Sequence, residues 1–293
     1  HFWDVTNNPH PWLRNKPRIP FRYGDYESIC CDFLPSDYEV AVKKHKVIRH
    51  VVMEGEWNPL DPVGEAIWMS RLAHKSGKPH AMSAQVWLDR NDLTQVLDAY
   101  AKAPLHKFVK SVRHKPRVTT QSEYKSSWAE PGSMRCAHWR NGYARLAEYK
   151  LMFELQCPWW HLEEAAELAK DFPEIKIIIN HAGLPATRDS ETLAQWSKAM
   201  GRISACPNVF VKISGLGVAG QAWTPEAQQP IVQTLLDQFE VKRCMFASNY
   251  PVDSLVANLD SIWSGFKQLT SHLNAEDRLA IFLDTAVDVY QLK

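Results

Sequence analysis

Apolar, β-branched-rich runs of strand length recur along the chain, and between them lie longer stretches whose apolar residues return every three or four positions. The short runs are Val47–Glu54, His80–Leu88, His106–Arg113, Tyr149–Gln156, Ile175–His181, Val209–Ser214 and Cys244–Asn249. The stretches between and after them, Pro62–Ser76, Asn91–Ala103, Arg135–Glu148, Trp160–Phe172, Glu191–Cys206, Pro225–Phe239, Leu255–Leu269 and Glu276–Leu292, read as amphipathic helices. Leu162, Ala165, Ala166, Leu168 and Ala169, for example, fall on one helical face. Ile175-Lys-Ile-Ile-Ile and Cys244-Met-Phe-Ala are nearly continuous in apolar residues, which suits strands of a parallel sheet covered on both sides. Strand alternating with helix predicts an α/β fold.

Seven such strands need an eighth to close a barrel. A strand ending at His1 would bring the count to eight β/α units and make residues 1–293 a single-domain TIM (β/α)8 barrel of ordinary size. The expectation is therefore that the protein extends further toward its N-terminus and carries that strand. A doubly wound sheet is the alternative, but neither GxGxxG nor GxxxxGK[ST] follows any of the runs. Two segments read as long loops of the kind that cover a ligand: His10–Ser28, and Lys115–Gly132 with its polar stretch Thr119-Thr-Gln-Ser-Glu-Tyr-Lys-Ser-Ser.

With 45% hydrophobic and 23% charged residues, the composition is that of a packed globular protein. Lys+Arg of 34 against Asp+Glu of 33 leaves +1, which removes the general electrostatic case for nucleic acid or an anionic membrane as partner and favours a small-molecule substrate. No apolar stretch is long enough to span a bilayer. Six cysteines without a CxxC pair read as reduced thiols, so the expected location is cytoplasmic, and a homo-oligomer stays open.

In a (β/α)8 barrel the chemistry sits at the C-terminal strand ends. Here those positions are His1, Glu54, Gln85 or Asp89, Arg113 with His114, Gln156, His181, Lys212 or Ser214, and Asn249 with Asp253. A single histidine ending a strand is usually structural; several polar residues converging argue for a site. His181 follows a strand and precedes Ala-Gly-Leu-Pro, where a turn allows close approach, and suits a ligand or base. Arg113 offers a planar fork for a carboxylate or a carbonyl oxygen, or else pairs with Glu54. Asn249 can orient a substrate but cannot act as general base. Trp3, Trp57 and Trp128 stand in or near strand-end loops, where they stack on a ring or sugar face, or equally fill the core.

Taken in order, His1-Phe-Trp-Asp, Val51-Val-Met-Glu-Gly-Glu-Trp, Phe108-Val-Lys-Ser-Val-Arg-His, Phe153-Glu-Leu-Gln-Cys-Pro, Ile178-Ile-Asn-His-Ala-Gly-Leu-Pro, Val209-Phe-Val-Lys-Ile-Ser-Gly and Met245-Phe-Ala-Ser-Asn-Tyr-Pro-Val-Asp resemble the amidohydrolase superfamily. The resemblance covers nearly the whole chain and lies with the branch of sugar lactonases and pyrone-dicarboxylate lactonases. It implies that His1 is the second histidine of a first-strand His-x-His, that His181 is the later histidine, and that Asn249 takes the place of the last-strand aspartate. His1 and His181 then become candidate ligands of one divalent metal, zinc or manganese. An amide at 249 lacks the negative charge and the proton acceptor that metal-hydroxide attack relies on, so a metal-independent route through Arg113, His114 and His181 is the alternative. Asp253 replaces the base if its loop turns it inward; otherwise it caps a helix.

The implied activity is hydrolysis of a small lactone or related cyclic ester or amide. His181, Asn249, Arg113 and His114 would act in catalysis, and Glu54, Gln156, Trp3, Trp57 and Asp253 would contact the substrate. Metal-dependent decarboxylation of an aromatic acid, and a ligand-binding barrel that has lost catalysis, are the competing readings.

Overall fold

A computed structural model describes residues 1–292. Seven strands form one parallel sheet in the order of the chain: β1 (Val51–Met53), β2 (Ala81–Gln85), β3 (Val109–Arg113), β4 (Met152–Leu155), β5 (Ile177–Ile179), β6 (Val209–Ile213) and β7 (Cys244–Phe246). Each pairs only with its sequence neighbours. Helices α1 (Pro62–Ser76), α2 (Leu93–Tyr100), α3 (Ala137–Ala144), α4 (Leu162–Asp171), α5 (Ser190–Ser204) and α6 (Pro225–Phe239) connect successive strands, and α7 (Leu259–Leu269) follows β7. Side chains fix several helix starts: Asp61, Asp189, Thr224 and Asn258 each accept a hydrogen bond from the backbone N–H three residues on.

The sheet curls until its edge strands face one cavity. Val51 and Met53 of β1 and Met245 and Phe246 of β7 line the same space, and His1 bridges the two edges at its top. The His1 backbone nitrogen donates to the carbonyl of Tyr250 beyond β7, while its imidazole Nδ1 lies 2.9 Å from the carbonyl oxygen of Glu54 beyond β1. The described residues thus form a seven-stranded, curled sheet with the helices on its outside, and the eighth expected strand is not among them.

Period-two alternation sorts the strand residues. Ile177 and Ile179 join the large core beneath the helices, while Ile178 packs inside the curl with Met152, Met245, Val289 and Tyr290. One step further along the strands, the inward positions turn polar: Ser111, Glu154 and Lys212. The C-terminal segment closes the lower end, and Tyr290 Oη donates to Glu154 from below.

Several expected elements differ in detail. The strand expected over Ile175–His181 stops at Ile179, because His181, Ala182 and Leu184 take left-handed backbone conformations. The run Cys244–Asn249 is a strand only to Phe246, so Asn249 stands on the loop beyond. The expected helix over Glu276–Leu292 is broken by a π-turn at Ala280–Asp284. The loop His10–Ser28 holds a short helix at Pro11–Arg14, and Trp3, Leu13, Tyr26, Ile29 and Val252 form a satellite core beneath it.

Candidate active site

The cavity between the sheet edges has a volume of about 600 Å³. His1, Arg113, His181, Lys212, Ser214 and Asn249 all line it, so residues from both ends of the chain meet there. Because the Nδ1–H of His1 points at backbone carbonyls, its Nε2 is left as the imidazole's lone-pair nitrogen. Arg113, at the end of β3, donates through Nε to Glu54 Oε1 at 2.5 Å, through Nη2 to the Glu54 carbonyl at 3.0 Å and through Nη1 to Gln156 Oε1 at 3.1 Å. The Glu54 pairing expected as one alternative is therefore present, and the guanidinium still borders the cavity.

His181 is held in an uncommon conformation, with φ +53° and ψ +40°. Its Nδ1 lies 3.0 Å from Ser214 Oγ, and both residues are buried. Left-handed backbone at a non-glycine residue costs on the order of 1–3 kcal/mol and persists where the surroundings over-determine it. Asn249 is also left-handed, at φ +50°. Its Nδ2 donates to Asp253 Oδ1 at 2.7 Å, and Tyr23 Oη donates to the same oxygen at 3.0 Å. Asp253 is thus turned back beneath Asn249: it caps no helix and does not itself line the cavity.

The electrostatics are dominated by burial and by cations. Burial, followed by Arg22, Arg113, Lys212 and Lys115, pushes His181 well below the ordinary histidine range, so it is neutral at physiological pH. Burial opposes ionisation of Glu54, but Arg113 and Lys115 hold it below the usual carboxylate range. Its neighbour Glu65 is driven the other way, well above the ordinary carboxylate range, by burial and by Glu54 itself. Burial lowers Lys212, against the pull of Glu154, whose two oxygens accept from its Nζ at 2.9 and 2.8 Å. Burial raises Asp253 to about 6, moderated by Arg22, Asn249 and Tyr23. The site is a neutral imidazole ringed by guanidinium and ammonium groups, which suits holding water beside a carbonyl and stabilising the oxyanion that forms from it.

A family model described as Amidohydrolase matches residues 1–292. The chain belongs to the amidohydrolase family. It is 34% identical over 292 residues to the uncharacterized protein y4mH of Sinorhizobium fredii, covering 100% of this chain and 96% of that one. It is 24% identical over 259 residues to an L-fucono-1,5-lactonase of Burkholderia ambifaria, covering 88% of this chain and 80% of that one. A crystal structure of an amidohydrolase from Burkholderia multivorans with bound zinc shares the fold at a TM-score of 0.80 and 20% identity, covering 100% of this chain and 97% of that one.

This amidohydrolase gathers His1, Arg113, His181 and Asn249 as expected, but it divides the other expected residues. Glu54, Trp57 and His114 line a second cavity of about 210 Å³, and Arg113 borders both. His114 Nδ1 accepts from Leu88 N and from Trp139 Nε1, each at 3.1 Å, and burial pushes the ring down to about 4 against the pull of Asp89. It is a buried neutral group that does not line the cavity of His181. Trp3, expected at the substrate, is instead fully buried with its indole N–H donated to the Cys31 carbonyl. Gln156 reaches the site through Arg113, and Trp128 packs against His161.

The donor set for a metal is incomplete. His1 and His181 offer two imidazoles, Asn249 offers an amide, and among the described residues no group of three or more His, Cys, Asp or Glu side chains gathers about one point. A tetrahedral zinc site in an enzyme takes three protein ligands, so these residues alone do not fit one. The contribution of Arg22 and Tyr23 was not anticipated from the sequence; the only hint was that both lie in a loop long enough to cover the mouth. No helix among the described residues is long and apolar enough to cross a membrane, and all six cysteines are free.

Proposed function

We propose that this amidohydrolase hydrolyses a small lactone or a related cyclic ester or amide. The observation that carries the reading is the single cavity in which the neutral His181 meets Arg113 and Lys212. The substrate carbonyl points at the guanidinium and ammonium groups, and water is held by His181, with His1 and Asn249 orienting the reacting groups. As water adds, the carbonyl oxygen takes up negative charge that the cations stabilise. Negative charge accumulating beside His181 also offsets the cations that depress its basicity, so the imidazole becomes a better proton acceptor as the reaction proceeds. Ring opening then releases a hydroxy acid, and the proton passes to the departing oxygen. Glu54 and Gln156 act by orienting Arg113, and Trp57 borders the adjoining cavity.

The lactonase-named relative adds support for a cyclic ester as the substrate class. The test is a pH-indicator assay over sugar lactones and muconate-type lactones, with carbon dioxide release from hydroxybenzoates followed in parallel. Acid release from a lactone is expected. Carbon dioxide release without lactone turnover would replace hydrolysis by decarboxylation, and ligand binding with neither product would make the barrel a binding protein.

A further inference from the structure

We propose that Arg22, on the loop His10–Ser28 and close to His181, is a specificity-determining residue that binds a carboxylate substituent of the substrate beside His181. The inference rests on the lactone reading and names the class within it: a lactone whose ring carries a carboxylate.

The placement follows from Gly215, which succeeds Ser214 with φ +59°. A Cβ built there would stand 2.5 Å from His181 Nδ1 and 2.8 Å from Arg22 Nη2, so imidazole and guanidinium meet over the same bare backbone. The guanidinium is aimed by its neighbours. Its Nη2 donates to Tyr23 Oη at 2.8 Å, its carbon lies 4.4 Å from the centre of the Tyr23 ring, and Tyr23 is itself anchored on buried Asp253. Among the described residues, Arg22 Nε and Nη1 have no hydrogen-bond partner.

The other cations near His181 each have a carboxylate of their own. Arg113 has Glu54 at 2.5 Å, Lys212 has Glu154 at 2.8 Å, and Lys115 pairs with Glu56. The carboxylate nearest Arg22 is Asp253 at 3.5 Å, on an oxygen already shared with Asn249 and Tyr23. Of the cations near His181, Arg22 therefore has the charge least compensated by a carboxylate, on a planar fork suited to one. Its side chain keeps 31% of its exposure, so a ligand can reach it without the loop unfolding.

Two arms test this. In the first, the ratio of kcat/KM for a γ-butyrolactone bearing a ring carboxylate to that for its methyl ester is measured in the wild type, Arg22→Gln and Arg22→Lys. A hydrogen-bonded charge pair at a partly exposed site predicts that the carboxylate preference falls about tenfold in Arg22→Gln. In Arg22→Lys, which keeps the charge and loses the planar fork, the preference is expected to fall less than in Arg22→Gln. In the second arm, calorimetry compares binding of tetrahydrofuroate with that of tetrahydrofurfuryl alcohol, neither of which can be hydrolysed. Tetrahydrofuroate is expected to bind the wild type more tightly and to lose that advantage in Arg22→Gln. An unchanged preference in folded Arg22→Gln, equal losses for charged and neutral ligands, or a wild type that binds neither would overturn the assignment. A wild type that binds tetrahydrofuroate through Arg22 but opens no lactone would sink the hydrolytic reading alone.

Discussion

Gly215→Ala tests the packing of the site at one atom. The added methyl carbon would lie 2.5 Å from His181 Nδ1 and 2.8 Å from its Cγ, closer than the 3.0 Å that real Cβ contacts respect. The imidazole is buried and bound to Ser214, so it must move by roughly 1 Å, a displacement that can cost about 100-fold in rate when it falls on a reacting group. Left-handed alanine adds about 1–2 kcal/mol of backbone cost, and a weakened Ser214 hydrogen bond adds about 1 kcal/mol. The reduced freedom of the unfolded chain returns about 0.4–1 kcal/mol, leaving a net loss of about 2 kcal/mol. Gly220 is the control: it is left-handed too, at φ +70°, but nothing lies within 4 Å of its Cβ position. Urea unfolding and kcat/KM on the best lactone are measured for both variants. Gly220→Ala should show the backbone cost alone, and Gly215→Ala the larger stability loss together with the loss of turnover. If the two variants were equal in stability and activity, the close approach of His181 to Gly215 would be refuted.

Three further outcomes follow from the electrostatics and the donor set. Glu54→Gln leaves Arg113 buried without its carboxylate and is expected to cost about 3–5 kcal/mol in chemical denaturation; a loss below about 1 kcal/mol would mean that the pair is open to water. Burial raises the pKa of Asp253 from 3.8 to about 6, so the folded state holds this proton more tightly than the unfolded state. Its stabilising effect is complete below the unfolded value and is lost as pH climbs through the folded one, up to about 3 kcal/mol in all. Asp253→Asn should flatten this part of the stability profile, and an identical slope in the variant would show that Asp253 is not the group responsible. With two imidazoles and an amide as donors, zinc should be removed by dialysis against a chelator, as read by elemental analysis. Stoichiometric metal surviving that treatment would require a ligand beyond the described residues.

The order of strands, and the placement of His181 just beyond the fifth of them, were legible because they rest on periodicity. Apolar runs mark the strands, and strand ends mark the mouth. β3 ends at Arg113, which borders both cavities, and His114, one residue beyond the strand, lines only the smaller one. The Glu154–Lys212 pair, 58 residues apart, exists only once the sheet has curled. Arg22 was not legible, and Trp3 was left open between substrate contact and core packing, because position along a loop has no period. Trp3 went to a satellite core that only the folded loop creates, and Arg22 to a place beside His181 and Gly215. Asp253, for which the sequence left an inward turn and a helix cap open, is turned back beneath Asn249, with its backbone N–H on the Asn249 carbonyl at 2.9 Å.

The most direct measurement is the turnover of the preferred lactone by wild type and His181→Gln, on protein whose fold has been verified by circular dichroism and whose ligand binding has been verified by calorimetry. Removal of a group that positions and deprotonates water typically costs about 100-fold or more, so His181→Gln should bind the substrate and open it at least that much more slowly. A folded His181→Gln that hydrolyses the lactone at the wild-type rate would contradict the account, because the chemistry would then lie away from the cavity that His1, Arg113, Lys212 and His181 share.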